Sequence, residues 1–450
     1  MNVKLIKAPC SSSETIYDKW MMPLELCSIA TMLKDRFSDL GIEIIDGQFH
    51  GRDKILNCIR SDADVVGITY TIYSTETMEN IARIAKSNGA FVVIGGPAAT
   101  ATAFQVLENK NIDAVVLYDG EFPMVQLVSA LKRSPQNPDL CNIPNLLCRE
   151  NRISGPLLAQ KPCLDEYPPV ERNIGGLNIN SYINAYPMTC TEKRLIAKRP
   201  TNAYSKKGCP RSCSFCGRVD KGFRMRSPLL FYEEIKNLSQ QYDVDYIYDH
   251  SDTWINNNWI DEYVSVLDRK GYLDLRYMIF ADVRDITKHN SQILKNIGVD
   301  IVLLGIESGC DSLLAKNRKN ITRESILESC DLLLSNDMKI SASFVLGLIG
   351  ETDESLNKTV KLIKQLKTMG DVTIYCNTII PLPGSYIWKK MMEIPMLHTM
   401  YGDKYKFNVD QLRNMYIKFF TDISGGLQQL NELRDSILEE EEILKIEYAR

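Results

Sequence analysis

Gly208-Cys209-Pro210-Arg211-Ser212-Cys213-Ser214-Phe215-Cys216-Gly217 sets three cysteines in one short loop at the spacing C-x3-C-x2-C. Thiolates so spaced can converge on three corners of a cubane, which leaves the fourth iron without a protein ligand. A [4Fe–4S] cluster ligated wholly by protein only moves electrons, whereas one with an open iron can chelate a small molecule and deliver an electron into it. Zinc loops instead pair two C-x2-C units, and no second pair stands close to this loop.

The rest of the chain suits such a centre. Its 450 residues are 44% hydrophobic, which fits a globular chain of two or three domains. The net charge is −4 and no long basic run is present, so the balance points away from nucleic acid and anionic membrane surfaces and toward a small-molecule substrate. The opening MNVKLIKAPC reads as a strand rather than a signal peptide, and no uninterrupted apolar run reaches the roughly 18 residues that span a bilayer, so a cytoplasmic protein is expected. Thirteen cysteines, odd in number and scattered, suit reduced thiols and a metal cluster better than a disulfide framework.

Upstream of the loop, hydrophobic periodicity alternates between strand and helix five times. Strands are expected at Val3–Ile6, Ile42–Ile45, Asp64–Tyr70, Ala90–Gly96 and Ala114–Tyr118. This predicts an α/β domain over residues 1–132, an open parallel sheet of the flavodoxin/Rossmann kind with its ligand at the strand C-termini. The turns there are Gly67-Ile-Thr69-Tyr70-Thr71, Gly95-Gly96-Pro97-Ala98-Ala99-Thr100 and Tyr118-Asp119-Gly120-Glu121. Their glycines allow close backbone approach, and their hydroxyls can bond a ligand. Residues 133–200, rich in Pro and Asn, read as a linker, where Cys141, Cys148, Cys163 and Cys190 are structural or incidental thiols. From 201 to 390 strand and helix alternate again. Counting the strand that delivers the cysteines, six βα units make a partial TIM-like barrel with its chemistry at the C-terminal mouth. Residues 391–450 read as helices, at Asp410–Phe420 and at Leu427–Ile443, the latter ending in the acidic run Glu439–Glu442.

The cysteine spacing and Phe215 before the last cysteine resemble the radical S-adenosylmethionine (SAM) superfamily. There the open iron takes the amino and carboxylate groups of SAM, and reductive cleavage gives a 5′-deoxyadenosyl radical. The N-terminal turns, in this order ahead of the loop, resemble the B12-binding domain of the cobalamin-dependent branch. The resemblance covers roughly residues 1–390, including a linker hairpin at Ile143–Ile153. It implies [4Fe–4S] ligation by Cys209, Cys213 and Cys216, and SAM contacts at Phe215, Asp249, His250, Glu307, Ser308, Gly347 and Gly350. It also implies cobalamin contacts at Thr69, Thr71, Gly95, Gly96 and Glu121. Two turns depart from the branch, with Ala98 where it has His and Tyr118-Asp119 where it has Gly-Glu. The Asp-x-His-x-x-Gly signature is absent too, since Asp46-Gly-Gln-Phe-His50 has the wrong spacing. A histidine ligand to cobalt is therefore not expected, and two outcomes stay open: cobalamin bound without one, or a domain that kept the fold and lost the ligand. Where the family has Ala-Arg-Val-Asp, this chain reads Ala281-Asp282-Val283-Arg284.

These readings together describe a radical SAM enzyme that takes hydrogen from an unactivated C–H bond of a small, specialised metabolite. With cobalamin the outcome is C-methylation. Without it the substrate radical must resolve by dehydration, oxidation or rearrangement. His250 is a candidate to move a substrate proton, and Cys310 and Cys376 are candidates to quench a substrate radical. A reducing protein such as flavodoxin, ferredoxin or a dedicated reductase is the implied partner. The competing class is a non-catalytic iron–sulfur carrier or sensor, which has no use for an open iron. The cysteine-free C-terminus argues against peptide-handling relatives with extra clusters, and also against the tRNA methylthiotransferases, which add an N-terminal cysteine set and a basic RNA-binding barrel.

Overall fold

The computed structural model describes residues 1–10, 19–149, 161–190, 192–218 and 222–439. The later part of the Ile143–Ile153 stretch and the acidic run after Glu439 lie outside the described residues. The chain divides into two compact units, one from Met1–Cys190 with Met392–Phe407, the other from Thr191–Met391 with the segment that begins at Asn408.

In the first unit the strands are β1 (Asn2–Lys7), β2 (Gly41–Asp46), β3 (Val65–Thr69), β4 (Phe91–Gly95), β5 (Ala114–Val116) and β6 (Leu146–Cys148), in the order β2-β1-β3-β4-β5-β6. The first five are parallel, in the doubly wound order whose switch point lies at the carboxyl ends of the neighbouring strands β1 and β3. Val65-Val66-Gly67-Ile68 is buried throughout, as a central strand covered on both faces requires. The linker reading is corrected at β6. Leu146–Cys148 pairs antiparallel with β5 and completes the sheet edge, but three residues are too short a run to betray a strand by periodicity. A late segment also joins this unit. Tyr405 donates to Glu79 Oε1 at 2.6 Å, and Lys406 pairs with Glu79 Oε2 at 2.8 Å.

The second unit holds β7 (Pro200–Ala203), the hairpin β8 (Lys206–Gly208) and β9 (Phe223–Met225), then β10 (Tyr246–Asp249), β11 (Arg276–Asp282), β12 (Val299–Glu307), β13 (Lys339–Leu346) and β14 (Val372–Thr378). Six of these form a parallel sheet in the order β14-β13-β12-β11-β10-β7, with β7 and β14 at its edges. This is the expected open barrel of six βα units. The helices are fixed locally by their caps: the Thr322 and Thr352 hydroxyls accept from Ser325 N–H and Ser355 N–H, starting Arg323–Leu334 and Asp353–Met369. The cysteine loop follows β7 by way of the hairpin strand β8 and meets Asp252 just beyond β10, so it lies at the C-terminal end of the six-stranded sheet.

Candidate functional site

Gly208 is where the cysteine loop departs, and it can be nothing else. Its φ is +83°, and a Cβ there would stand 1.8 Å from the Gly222 carbonyl oxygen across the hairpin. Its N–H donates to Asp252 Oδ2 at 2.9 Å. Beyond it, Cys209 and Cys213 are half-buried and Cys216 is exposed. Cys216 N–H donates to the Cys213 carbonyl at 3.3 Å, closing the second half of the loop. Arg211 pairs with Asp285. Burial pushes both the Cys209 and Cys213 thiols up, while the Lys319 charge pulls Cys213 down. Among the described residues no three His, Cys, Asp or Glu side chains are grouped to hold one metal ion. Ligands of a single ion are drawn together, whereas three thiolates of a cubane sit on three different irons and stand farther apart. The three free thiols of this loop are the donor set that a cubane takes, one to each of three irons.

The loop is held by a residue that the motif reading missed. Asn317 is fully buried. Ser214 N–H donates to its backbone carbonyl at 3.0 Å, and Ser214 Oγ donates to its Oδ1 at 2.7 Å. The same Oδ1 accepts from Ile349 N–H at 3.2 Å, while Nδ2 donates to the carbonyls of Leu313 at 2.9 Å and Ile349 at 3.1 Å. One amide thus ties the cysteine loop to the glycine turn after β13. That turn needs its glycines. At Gly347, with φ +96°, a Cβ would lie 2.6 Å from Ile417 Cδ1, and at Gly350, with φ +81°, 2.1 Å from Lys316 Nζ.

Glu307 ends β12 at an irregularity. The register against β13 shifts between Gly305 and Glu307, and Glu307 takes a left-handed φ of +70°. A non-glycine in that region is uncommon, and such bulges re-aim a side chain at the end of a strand. The carboxylate, 8% exposed, accepts from Lys319 Nζ at 3.2 Å, and the same Nζ lies 3.5 Å from Asp282 Oδ2. Arg284 Nε and Nη2 then grip Asp282 at 2.7 Å each. Burial opposes ionisation of Asp282, but the Arg284 bonds and the Lys319 charge outweigh it and hold that carboxyl down at about 2. For Glu307 burial prevails over Lys319, and its carboxyl is pushed up. Asp282-Val283-Arg284, the departure from the family pattern, is therefore one arm of a buried charge chain.

Other expected residues are placed differently from one another. Asp249 is fully buried and engaged: Oδ1 accepts from Ser251 N–H at 2.9 Å and Ser251 Oγ at 2.5 Å, and Oδ2 accepts from Trp254 Nε1 at 2.8 Å. His250 next to it is exposed, with its N–H on the Ala203 carbonyl at 2.7 Å and its ring edge-on to Tyr248. Phe215 is half-buried in the loop. Ser308 pairs with Thr359 Oγ1 at 3.0 Å and accepts from Cys310 N–H at 3.2 Å, and the Cys310 thiol lies 3.3 Å from Ser312 Oγ. Side chains alternate along β14. Tyr375 bonds Glu192 on one face, whereas Thr378 bonds Asn431 of the helix Gly426–Glu439 on the other. Cys376 shares the Thr378 face, and burial pushes its thiol up to about 12. The reading of Cys376 as a thiol pointing into the barrel is corrected accordingly.

In the first unit the turn after β4 makes a cradle. A Cβ at Gly95 would meet nothing within 4 Å, whereas at Gly96, with φ +102°, it would stand 2.7 Å from Thr69 Oγ1 and 3.0 Å from the Tyr70 carbonyl. Gly96 lets the β3 and β4 turns close on one another, and Gly95 leaves open space at the sheet's C-terminal edge. Thr71 N–H is held by Ser74 Oγ at 3.0 Å. Glu121 is turned inward, buried, and accepts from Ser28 Oγ at 2.8 Å. His50 Nδ1 accepts from Asp46 N–H at 3.1 Å, so that nitrogen is already taken up by the turn. Tyr70 belongs to the buried core of this unit.

The family pattern described as the radical SAM superfamily matches residues 205–363, and that described as the B12 binding domain matches residues 19–128. An uncharacterised methyltransferase of Pyrococcus horikoshii, PH0819, is 28% identical over 435 residues, covering 94% of this chain and 89% of its own. The anaerobic magnesium-protoporphyrin IX monomethyl ester cyclase of Rubrivivax gelatinosus is 27% identical over 311 residues, which is 67% of this chain and 54% of the cyclase. In fold the chain resembles the radical SAM methyltransferase TsrM of Kitasatospora setae, solved with cobalamin and a [4Fe–4S] cluster. The TM-score is 0.71 at 17% identity, over 87% of this chain and 75% of that one. It likewise resembles the cobalamin-dependent radical SAM enzyme OxsB, with a TM-score of 0.69 at 14% identity over 89% of this chain and 61% of that one. The chain thus carries a radical SAM domain preceded by a B12-binding domain.

Proposed function

We propose that this chain is a cobalamin-dependent radical SAM enzyme that methylates an unactivated carbon of a small molecule. The observation that carries the reading is the coexistence of the three-thiol loop anchored by Asn317 with the open space at Gly95 in the doubly wound unit. When bound, the cluster and SAM supply hydrogen abstraction and cobalamin supplies the methyl group. Cys209, Cys213 and Cys216 hold the cluster, and a reducing protein such as flavodoxin, ferredoxin or a dedicated reductase feeds it. Glu307, aimed by its bulge, accepts from the SAM ribose hydroxyls. His250, exposed at the end of β10, meets ligand, whereas Asp249 is engaged by Ser251 and Trp254 and braces the strand end. Gly95, Gly96, Thr69 and Thr71 face cobalamin, while Glu121, held by Ser28, braces the domain instead. No histidine ligates cobalt, because Asp46-Gly-Gln-Phe-His50 lacks the Asp-x-His-x-x-Gly spacing.

The test is to make the protein in cobalamin-replete cells, reconstitute it anaerobically and reduce it. Expected are about four irons, bound cobalamin without the optical signature of a histidine ligand, 5′-deoxyadenosine, and a product heavier by one methylene. A methylated product from cobalamin-free protein would overturn the role given to the first unit. Kinship to the cyclase supports a second reading, oxidation or ring closure of the substrate, which the same mass assay reads as loss of hydrogen.

A further inference from the structure

Lys319 belongs to no motif quoted above, yet it is 5% exposed and its ammonium stands between two buried carboxylates, Glu307 at 3.2 Å and Asp282 at 3.5 Å. The backbone delivers it by force. Arg318 and Asn320 on either side both take left-handed φ values, +59° and +51°. The residue before these, Asn317, carries the cysteine loop, and the Arg318 guanidinium stacks on the Tyr386 ring at 3.8 Å. Burial works against the Lys319 charge, but Glu307 and Asp282 outweigh it and keep the ammonium protonated. The space for the pair is kept by Gly305. A Cβ there would lie 2.7 Å from Glu307 Oε1 and 3.1 Å from Lys319 Nζ.

We propose that Lys319 is a positioning residue for SAM: it latches Glu307 in the orientation that meets the cofactor, with Asp282 and Arg284 as the far anchor of the latch. This rests on the reading of Glu307 as a SAM contact. A tight turn, closed by Ser308 N–H on the Ile306 carbonyl at 2.9 Å, sets the backbone of Glu307, and a buried ammonium fixes its side chain while offsetting its charge. Glu307 keeps an oxygen that Lys319 does not take, and that oxygen is the one presented to ligand.

SAM dissociation constants are to be measured on anaerobically reconstituted wild type, Lys319→Met, Lys319→Arg, Glu307→Gln and the Lys319→Met/Glu307→Gln double variant, together with thermal midpoints of the cluster-free proteins. Expected is a loss of SAM affinity of about ten-fold or more in each non-conservative single variant, partial recovery with arginine, and a double variant no weaker than Glu307→Gln alone. Lower thermal midpoints with unchanged SAM affinity would overturn the proposal, because they mark a purely structural ion pair. Losses that multiply in the double variant would overturn it equally, since Lys319 would then act without Glu307. Should Lys319→Met fail to fold, Gly305→Ala displaces the pair without removing a charge, and unchanged affinity there refutes the latch. Wild type that binds no SAM would instead sink the parent reading of Glu307.

Discussion

Asn317→Ala is the substitution expected to cost this protein most per atom removed. The amide is fully buried, and its Oδ1 takes two donors, Ser214 Oγ and Ile349 N–H, while its Nδ2 serves two carbonyls, Leu313 and Ile349. Truncation leaves those donors without their acceptor in a region closed to bulk water. At about 1–3 kcal/mol for each buried group left unsatisfied, and allowing for the Ser214 hydroxyl to rotate, the loss comes to about 3–5 kcal/mol in the second unit. The functional loss is larger than the thermodynamic one, because Ser214 lies between Cys213 and Cys216 and its backbone carbonyl also accepts from Ile387 N–H at 3.1 Å. A loop freed at Ser214 no longer holds three thiols in one geometry. Urea unfolding followed by the fluorescence of Trp254 and Trp259, with iron content after anaerobic reconstitution, reads both effects. Retention of full iron stoichiometry with a stability change under about 0.5 kcal/mol would refute the account of Asn317 as the anchor of the loop.

Cys209→Ala, Cys213→Ala or Cys216→Ala should each abolish both the cluster and SAM cleavage, while the exposed Cys163→Ala leaves both intact; iron analysis and a 5′-deoxyadenosine assay decide. Burial, only partly offset by bonds from Ser355 and from the Gly347 and Leu348 backbone, pushes the Glu351 carboxyl from 4.5 up to about 7. The native state therefore binds this proton more tightly than the unfolded chain. Its penalty is absent below pH 4.5 and grows as pH rises to about 7, where it reaches about 3 kcal/mol. Glu351→Gln should flatten that slope in unfolding measurements on the cluster-free protein at pH 5 and pH 7.5, and an unchanged slope would remove Glu351 as its source. Gly96→Ala should destabilise the first unit by roughly 1–3 kcal/mol, because it forces a side chain into a left-handed φ against Thr69. Fluorescence of Trp20, buried in that unit, reports the transition, and a wild-type midpoint would refute the tight β3–β4 turn.

The sequence by itself determined whatever depends on near neighbours along the chain. Three cysteines within eight residues are a local pattern, and the alternation of strand-like with helix-like apolar runs announced the parallel strands of both sheets, whose central members must be buried on both faces. The turn glycines at 95 and 96 were legible for the same reason, and those at 347 and 350 through the family resemblance; at 96, 347 and 350 a positive φ admits a side chain only with strain. Tertiary structure alone decided where the polar side chains at strand ends point. Asp249, Glu121 and Glu307 look alike in the chain, each an acid at a strand end or just beyond one. Folding turned the first toward Trp254 and Ser251 and the second toward Ser28, and it left the third beside Lys319 on a bulge. Cys376 was decided in the same way, by which face of β14 the helix Gly426–Glu439 covers. Asn317 and Lys319 were invisible beforehand because their partners lie far away in sequence, Ser214 by 103 positions. A buried polar group takes its role from the donors and acceptors that packing brings to it, and no spacing rule within one segment encodes a partner supplied by another.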